Sequence, residues 1–302
     1  MSVLATAHAQ ALHVAGVECS ETGNEDQAIE NYTMALALDP ARGDTLYNLG
    51  LIYKYRGDWA QSLDFNRRAR ALQPDDEATL WNLAIAATAM RDWGTARAAW
   101  SSLEIITEPG EGPIEENRGK TPVRLNADER SVGTVEVVWS RALCPVRSRV
   151  INIPTGETHY RHGDVVLHDG AAVGYRVNSA GQECPVFNVL EIFEPSKFST
   201  YEARTEVESL QEIEALERLC EDAGIAFEDW TASIRSLCKA CSEGRPHEGH
   251  DHEPKESGHW ESMRRIAFAT IDADRLNSVI DGWSLRMGRR VVDLRCTLEA
   301  KS

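Results

Sequence analysis

The first third of the chain repeats one pattern of apolar and polar positions at a fixed interval. The segment Gly23–Pro40 recurs as Gly57–Pro74, and a weaker third copy runs over Arg91–Pro109. Apolar residues in these segments follow the helical period, and a further helical pattern precedes each copy. The pattern therefore predicts three pairs of antiparallel helices that bury their apolar faces on one another.

Small residues recur inside both helices of each predicted pair, where they let two helices approach closely. The equivalent positions hold Gly16, Gly50 and Ala84 in the first helices and Ala28, Ser62 and Ala96 in the second helices. In these positions the segment 9–110 resembles the tetratricopeptide repeat family. The resemblance implies a helical solenoid whose concave face binds a peptide or helix of another protein. Asn66 departs from the family pattern, because an aromatic residue is usual there.

The resemblance also implies which side chains line the concave face. Carried over by position, they are His13, Val17, Tyr47, Asn48, Leu51, Lys54, Tyr55, Trp81, Asn82, Ile85 and Thr88. The basic clamp with which some family members hold a C-terminal carboxylate is absent, because its positions hold His13, Ala78 and Asn82. The aromatic and aliphatic lining suits a hydrophobic anchor of a protein ligand. The alternative occupant of this groove is the protein's own linker.

A linker and a β-rich segment are predicted to follow the array, which we place at residues 1–108. Residues 109–130 are rich in Gly, Pro and charge, a composition typical of a linker. Residues 131–195 show a period close to two, which predicts a small all-β, barrel-like unit. The five predicted strands are Thr134–Leu143, Val146–Ile153, Gly163–His168, Ala172–Asn178 and Pro185–Phe193.

Histidine and aspartate residues cluster within this β segment. They are His159, His162 and His168, with Asp164 and Asp169 nearby. A metal site could be built from such residues. The alternation of a half-buried strand produces a solvated polar face with the same residues, and we favour that interpretation.

Residues 199–302 are predicted to form an α+β domain. Its elements read as strand, helix, strand, loop, strand, helix, strand, and two such βαβ halves are typical of a ferredoxin-like sandwich. The second strand is predicted near Trp230–Leu237, and the last strand over Arg289–Leu298.

The loop between the two halves carries a candidate metal site. Cys238 and Cys241 have the two-residue gap that lets a turn aim both thiolates at one ion, and His247, His250 and His252 follow. These residues predict one structural zinc ion. Two alternatives stay open: a solvated loop whose histidines are only compositional, and a redox pair of cysteines.

The charge of the chain narrows the choice of partner. Lys and Arg number 32 against 48 for Asp and Glu, giving a net charge of −16. Such a surface repels phosphate backbones and anionic lipids, so we expect neither nucleic acid nor membrane as a partner. The odd number of cysteines, 7, and an N-terminus without the basic start of a signal peptide predict a cytoplasmic protein.

Three functions are compatible with these patterns, and the sequence leaves the oligomeric state open. We favour a non-enzymatic adaptor that binds a protein segment in the helical groove, because the usual nucleotide-binding and hydrolase motifs are absent. The first alternative is a metal-binding enzyme or metal sensor that uses the Cys/His loop. The second is an acidic inhibitor or immunity-type protein that neutralises a basic partner.

Overall fold

The computed structural model describes residues 3–128, 133–178, 180–233 and 260–300. The chain divides into two compact units, Met1–Glu116 and Asn117–Ser302. The described part of the first unit holds six helices: α1 (Val3–Glu21), α2 (Glu25–Leu38), α3 (Gly43–Tyr55), α4 (Trp59–Leu72), α5 (Glu77–Ala89) and α6 (Trp93–Ser102). The three predicted helix pairs are therefore confirmed.

The turns inside the three pairs repeat the same backbone chemistry. The N-caps of α2, α4 and α6 are Asn24, Asp58 and Asp92, and each side chain accepts a backbone N–H from the first helical turn. The residue before each cap has a left-handed backbone, with φ of 77° at Gly23, 72° at Gly57 and 59° at Arg91. Glycine adopts this conformation freely, whereas Arg91 adopts it at some steric cost. The third copy thus keeps the turn geometry although it has lost the glycine.

The second helix pair explains why Asn66 replaces the usual aromatic residue. The Ser62 hydroxyl donates to the Gly50 carbonyl at 2.8 Å, and the Asn66 amide donates to the Ser62 carbonyl at 2.8 Å. Ser62 and Asn66 are both fully buried. A short polar network therefore fills the space between α3 and α4 that a tyrosine fills between α1 and α2, where the Tyr32 ring lies against Gly16.

Replacing Gly50 by alanine is expected to destabilise the array by about 1 kcal/mol, because overpacking outweighs the gain in helix propensity. A Cβ at position 50 would lie 2.6 Å from Nδ2 of Asn66, which its hydrogen bond to Ser62 holds in place. Gly94→Ala on α6 is the control, since the nearest atom to its Cβ is 3.9 Å away. Urea unfolding followed by circular dichroism measures both variants. If the urea midpoints of Gly50→Ala and Gly94→Ala shifted in the same direction, the close contact between Gly50 and Asn66 would be contradicted.

The first five strands of the second unit form a closed barrel. They are β1 (Lys120–Leu125), β2 (Glu136–Cys144), β3 (Arg147–Val150), β4 (Val165–Val177) and β5 (Glu183–Glu194). Neighbouring strands pair antiparallel, except for β1 and β5, which pair in parallel. Two predicted strands, Gly163–His168 and Ala172–Asn178, are one continuous strand. Residues 169–171, which separate the two predicted strands, are instead an irregular stretch of β4 where the β4–β5 register shifts.

The segment predicted as a linker, residues 109–130, is not a linker throughout. Its second half contains β1, whose Val123 and Leu125 are fully buried in the barrel. At its start, the Arg97 guanidinium on α6 donates to the carbonyl of Gly112 at 2.8 Å and to that of Glu108, just before the segment, at 2.9 Å. The burial of β1 and the hydrogen bonds of Arg97 both anchor this segment, although its Gly, Pro and charge content is typical of a linker.

The remaining described elements form a four-stranded sheet covered by helices. They are β6 (Ser199–Glu206), α7 (Leu210–Asp222), β7 (Ala226–Asp229), α8 (Trp230–Ser233), β8 (Met263–Thr270), α9 (Ala273–Met287) and β9 (Val291–Leu298). The strand order is β7-β8-β6-β9 and every pair is antiparallel. The strand predicted near Trp230–Leu237 lies earlier, at β7. The described residues of that prediction, Trp230–Ser233, form the helix α8 instead. The buried Trp230 indole donates to the Ile153 carbonyl of the barrel at 3.0 Å, which holds the start of α8 against the barrel.

The barrel and the sheet pack together within the second unit. Ile153 and Trp230 form one apolar cluster with Ala267 and Ala269 of β8. The Glu228 carboxylate accepts hydrogen bonds from the Asn152 amide at 2.9 Å and from the Ile153 backbone at 2.8 Å. The two predicted C-terminal domains therefore share one compact unit.

Candidate protein-binding surface

The repeat period places side chains at equivalent positions on α1, α3 and α5. His13, Tyr47 and Trp81 follow one another at the repeat interval, and Val17 and Leu51 follow His13 and Tyr47 one helical turn later. All five are partly accessible, and Tyr55 is 45% exposed. We define these six residues, His13, Val17, Tyr47, Leu51, Tyr55 and Trp81, as the first-helix surface. It presents aromatic and aliphatic groups at a fixed spacing.

Four other residues predicted to line the groove are buried. Lys54, Asn82, Ile85 and Thr88 are each at most 4% exposed. The Lys54 ammonium donates to Oδ1 of Asn82 at 3.1 Å and lies 4.4 Å from the centre of the Tyr55 ring. The bond between Lys54 and Asn82 joins α3 to α5. Because all four side chains are buried, they do not offer a surface to a ligand in this structure.

Polar side chains at the first-helix surface are tied to neighbouring helices. The amide of Asn48, which is among the residues predicted to line the groove, donates to the Tyr32 hydroxyl at 3.2 Å. Nδ1 of His13 lies 2.9 Å from the Thr45 hydroxyl, and Nε2 lies 3.4 Å from the Asp44 carboxylate. Burial lowers the pKa of His13, and the attraction of Asp44 only partly opposes this effect. These contacts therefore fix the positions of the polar side chains that surround the apolar residues of the surface.

A pocket of about 440 Å³ adjoins the first-helix surface at the third repeat. Its lining residues are Asp75, Glu77, Leu80, Trp81, Ser102, Leu103, Glu104 and Ile105. Trp81 belongs to both features, and its ring meets the buried Trp100 ring edge-on, with centroids 5.0 Å apart. The sequence alone indicated Trp81 but not the pocket, because residues 75–81 and 102–105 meet only after folding.

The histidine and aspartate cluster of the barrel is a solvated polar face only at His159, which is exposed, and His162 is half-buried. For the other three residues the interpretation favoured from the sequence is wrong. His168 is 2% exposed, Asp164 is fully buried, and Asp169 is 7% exposed. The His168 ring stacks on Phe187 at 5.1 Å, and its Nδ1 lies 2.9 Å from the Asp169 carbonyl oxygen. Desolvation lowers the pKa of His168 to about 4. Within the residues that the structure describes, no group of three or more His, Cys, Asp or Glu could hold a metal ion.

The predicted zinc ligands lie outside the described residues. Cys238, Cys241, His247, His250 and His252 all fall within 234–259, so the structural zinc stays a prediction. The cysteines that are described are free thiols: Cys19, Cys144, Cys184, Cys220 and Cys296. No helix in the described ranges has the length and apolar character needed to cross a membrane.

No protein-family model and no curated protein matches this sequence. Among solved structures, the second TPR of Spaghetti (RPAP3) bound to the HSP90 peptide SRMEEVD is 20% identical, with a TM-score of 0.32 over 34% of this chain and 90% of that chain. Yeast Tom70 is 27% identical, with a TM-score of 0.31 over 32% of this chain and 20% of that chain.

A hypothetical protein from Neisseria gonorrhoeae aligns with a larger share of the chain. It is 10% identical, with a TM-score of 0.27 over 62% of this chain and 99% of that chain. All these TM-scores are low, so the tetratricopeptide arrangement rests on the six helices and on the fixed interval at which their sequence pattern recurs.

Proposed function

We propose that the helical array is a protein-interaction module that binds a segment of another protein on the first-helix surface. The observation that carries the proposal is the row of accessible aromatic and aliphatic side chains at equivalent positions of successive helix pairs. Val14, next to His13 on α1, adds a side chain that is 44% exposed. Contiguous exposed apolar groups on a rigid scaffold are typical of sites that bind a partner.

The scaffold under this surface supports binding without rearrangement. The Tyr53 and Phe65 rings stack between α3 and α4 with their centroids 5.6 Å apart. Below them, Leu46, Leu49 and Ala69 form part of a buried core. A surface held in place by such packing loses little conformational entropy when a ligand binds.

An external ligand fits the array better than the protein's own linker. Arg97 holds the backbone carbonyls of Glu108 and Gly112 against α6. The first part of the segment predicted to fill the groove is therefore anchored on the last helix of the array. This anchoring supports an external partner, rather than the linker, as the ligand of the side chains on α1 and α3.

The proposal is tested by selecting displayed random peptides on the immobilised full chain. The same library is then selected on the variant Tyr47→Ala/Leu51→Ala. We expect a family of related peptides on the wild type and its loss on the variant, because alanine removes two central anchors. Enrichment of the same family on both proteins would place the binding site elsewhere.

We also infer that the C-terminal sheet belongs to the ferredoxin-like class and that the barrel is a small all-β element packed against it. Two βαβ halves that interleave in an antiparallel sheet produce the order β7-β8-β6-β9. The helices α7 and α9 follow the first and third of these strands in chain order, as this class requires.

A further inference from the structure

The pocket at the third repeat is acidic at its rim and apolar at its wall. Asp75 lies in the connection before α5, Glu77 is the first residue of α5, and Glu104 follows the end of α6. Within the described ranges, none of these three carboxylates forms an ion pair. Arg70 is a basic residue next to the lining, and its guanidinium donates to the Ser102 hydroxyl at 3.2 Å. The three carboxylates of the lining give the pocket a negative potential, which the Arg70 guanidinium offsets only in part.

The apolar wall of the pocket contains a tryptophan that is fixed from behind. Trp100 is fully buried and meets the Trp81 ring at an interplanar angle of 73°. Trp81 is therefore held in one orientation while it remains partly accessible. An indole ring is the aromatic group that attracts a cation most strongly over its face.

The aliphatic lining completes a site for a long side chain with a charged end. Leu80, Leu103 and Ile105 lie in the same pocket as Trp81. The methylene stem of arginine or lysine packs on apolar groups of this kind while its charged end reaches polar groups. An anionic group would be repelled by the carboxylates, and a purely apolar side chain would leave them without a partner.

We propose that this pocket takes an arginine or lysine side chain of the protein segment that binds the first-helix surface. The inference rests on the proposed function for the identity of the segment. The cation lies between the Glu77 and Glu104 carboxylates and the Trp81 ring, and its stem lies on the aliphatic residues. Because Trp81 is shared by the pocket and the first-helix surface, one continuous segment reaches both.

The test uses the full-length protein and a small probe, N-acetyl-arginine methylamide. The indole N–H signal of Trp81 is assigned with Trp81→Phe and followed by NMR during titration at low ionic strength. N-acetyl-citrulline methylamide is the matched probe, because it has nearly the same shape without the charge. We expect a saturable shift with arginine, a dissociation constant on the order of 1 mM, and a much smaller shift with citrulline.

Two variants separate the carboxylates from general charge effects. Glu77→Gln/Glu104→Gln is expected to weaken binding of the arginine probe at least about fivefold, since it removes the closest opposite charges. The control variant Glu21→Gln/Glu30→Gln also removes two negative charges, but on α1 and α2. Its affinity for the arginine probe should stay within about twofold of the wild-type value. Absence of a saturable Trp81 shift, equal binding of citrulline, or equal weakening by both variants would overturn the inference.

The outcome of this titration is distinguishable from a failure of the proposed function. The probe is a single residue and needs no contact with Tyr47 or Leu51. If the probe binds as expected but no peptide depends on Tyr47 and Leu51, the proposed function fails and the cation site stands. If peptides depend on Tyr47 and Leu51 while the probe does not bind, only the cation site fails.

Discussion

Replacing Trp283 by alanine is expected to lower the free energy of unfolding of the second unit by roughly 3–5 kcal/mol. Trp283 on α9 is fully buried in the apolar cluster that also contains Ile213, Leu216 and Leu276. Its indole donates to the Glu212 carbonyl of α7 at 2.9 Å. Truncation removes the largest side chain between α7 and α9. It leaves a cavity that could close only if the two helices moved together.

Two further substitutions separate packing from the hydrogen bond. Trp283→Phe keeps most of the volume, so it should cost less than the alanine variant. Leu285→Ala on the same helix is the surface control, because Leu285 is 88% exposed, and it should change stability by less than about 0.5 kcal/mol. Guanidinium unfolding followed by near-ultraviolet circular dichroism measures all three variants. If Trp283→Ala lowered the free energy of unfolding no more than Leu285→Ala does, the burial of Trp283 between α7 and α9 would be contradicted.

Acidification from pH 7 to pH 5 is expected to remove about 2 kcal/mol of stability through His168 alone. Burial holds the pKa of His168 near 4 in the folded protein, compared with 6.5 for an unperturbed histidine. The unfolded chain therefore takes up a proton at higher pH than the folded chain does. The free energy of unfolding falls as the pH drops through 6.5 and continues to fall until the pH reaches about 4.

The variant His168→Gln isolates this effect. Glutamine keeps a polar group beside Phe187 but does not titrate. Between pH 7 and pH 5 the variant should therefore lose about 2 kcal/mol less unfolding free energy than the wild type. Burial also lowers the pKa values of His13 and His162. Both residues remain in the variant, and their contributions cancel in the comparison. Equal pH dependence of the two proteins would mean that His168 is solvated.

The repeat could be predicted from the sequence because its physics is local. The turn before each N-cap, the small residue in each first helix and the helical period all recur at the same fixed interval along the chain. Even the unusual Asn66 lies at the predicted position, where it bonds to Ser62 instead of packing an aromatic ring. These features depend on neighbours within one helix pair, so sequence spacing is sufficient to predict them.

The barrel was harder to predict because its pairings are distant in sequence. Strand β1 pairs with β5, so Val123 lies beside Phe187, which is distant along the chain. Burial on both faces at the start of β4, over residues 165–169, hides the alternation on which the interpretation of Asp164 and His168 depended, since such strands read as continuous runs. Asp169 resembles a turn residue because its side chain accepts the Gly170 amide at 2.8 Å, yet it lies within a strand.

The candidate site was half predictable for the same reason. The positions of Tyr47, Leu51 and Trp81 follow from the repeat, but the burial of Lys54 and Asn82 does not, because it depends on a bond between two helices. The acidic pocket brings together residues 75–81, at the start of α5, and residues 102–105, at the end of α6. No motif spacing connects those two stretches.

The most direct test of the central claim is the affinity of a peptide selected on the wild type for two single variants. Tyr47→Ala truncates the middle of the first-helix surface, and Met34→Ala truncates a side chain that is 52% exposed on α2. Titration calorimetry should show at least about a tenfold loss for Tyr47→Ala, the size expected for a central aromatic anchor. Met34→Ala should bind like the wild type. Undiminished binding by Tyr47→Ala, or an equal loss in both variants, would contradict the assignment of this surface as the binding site.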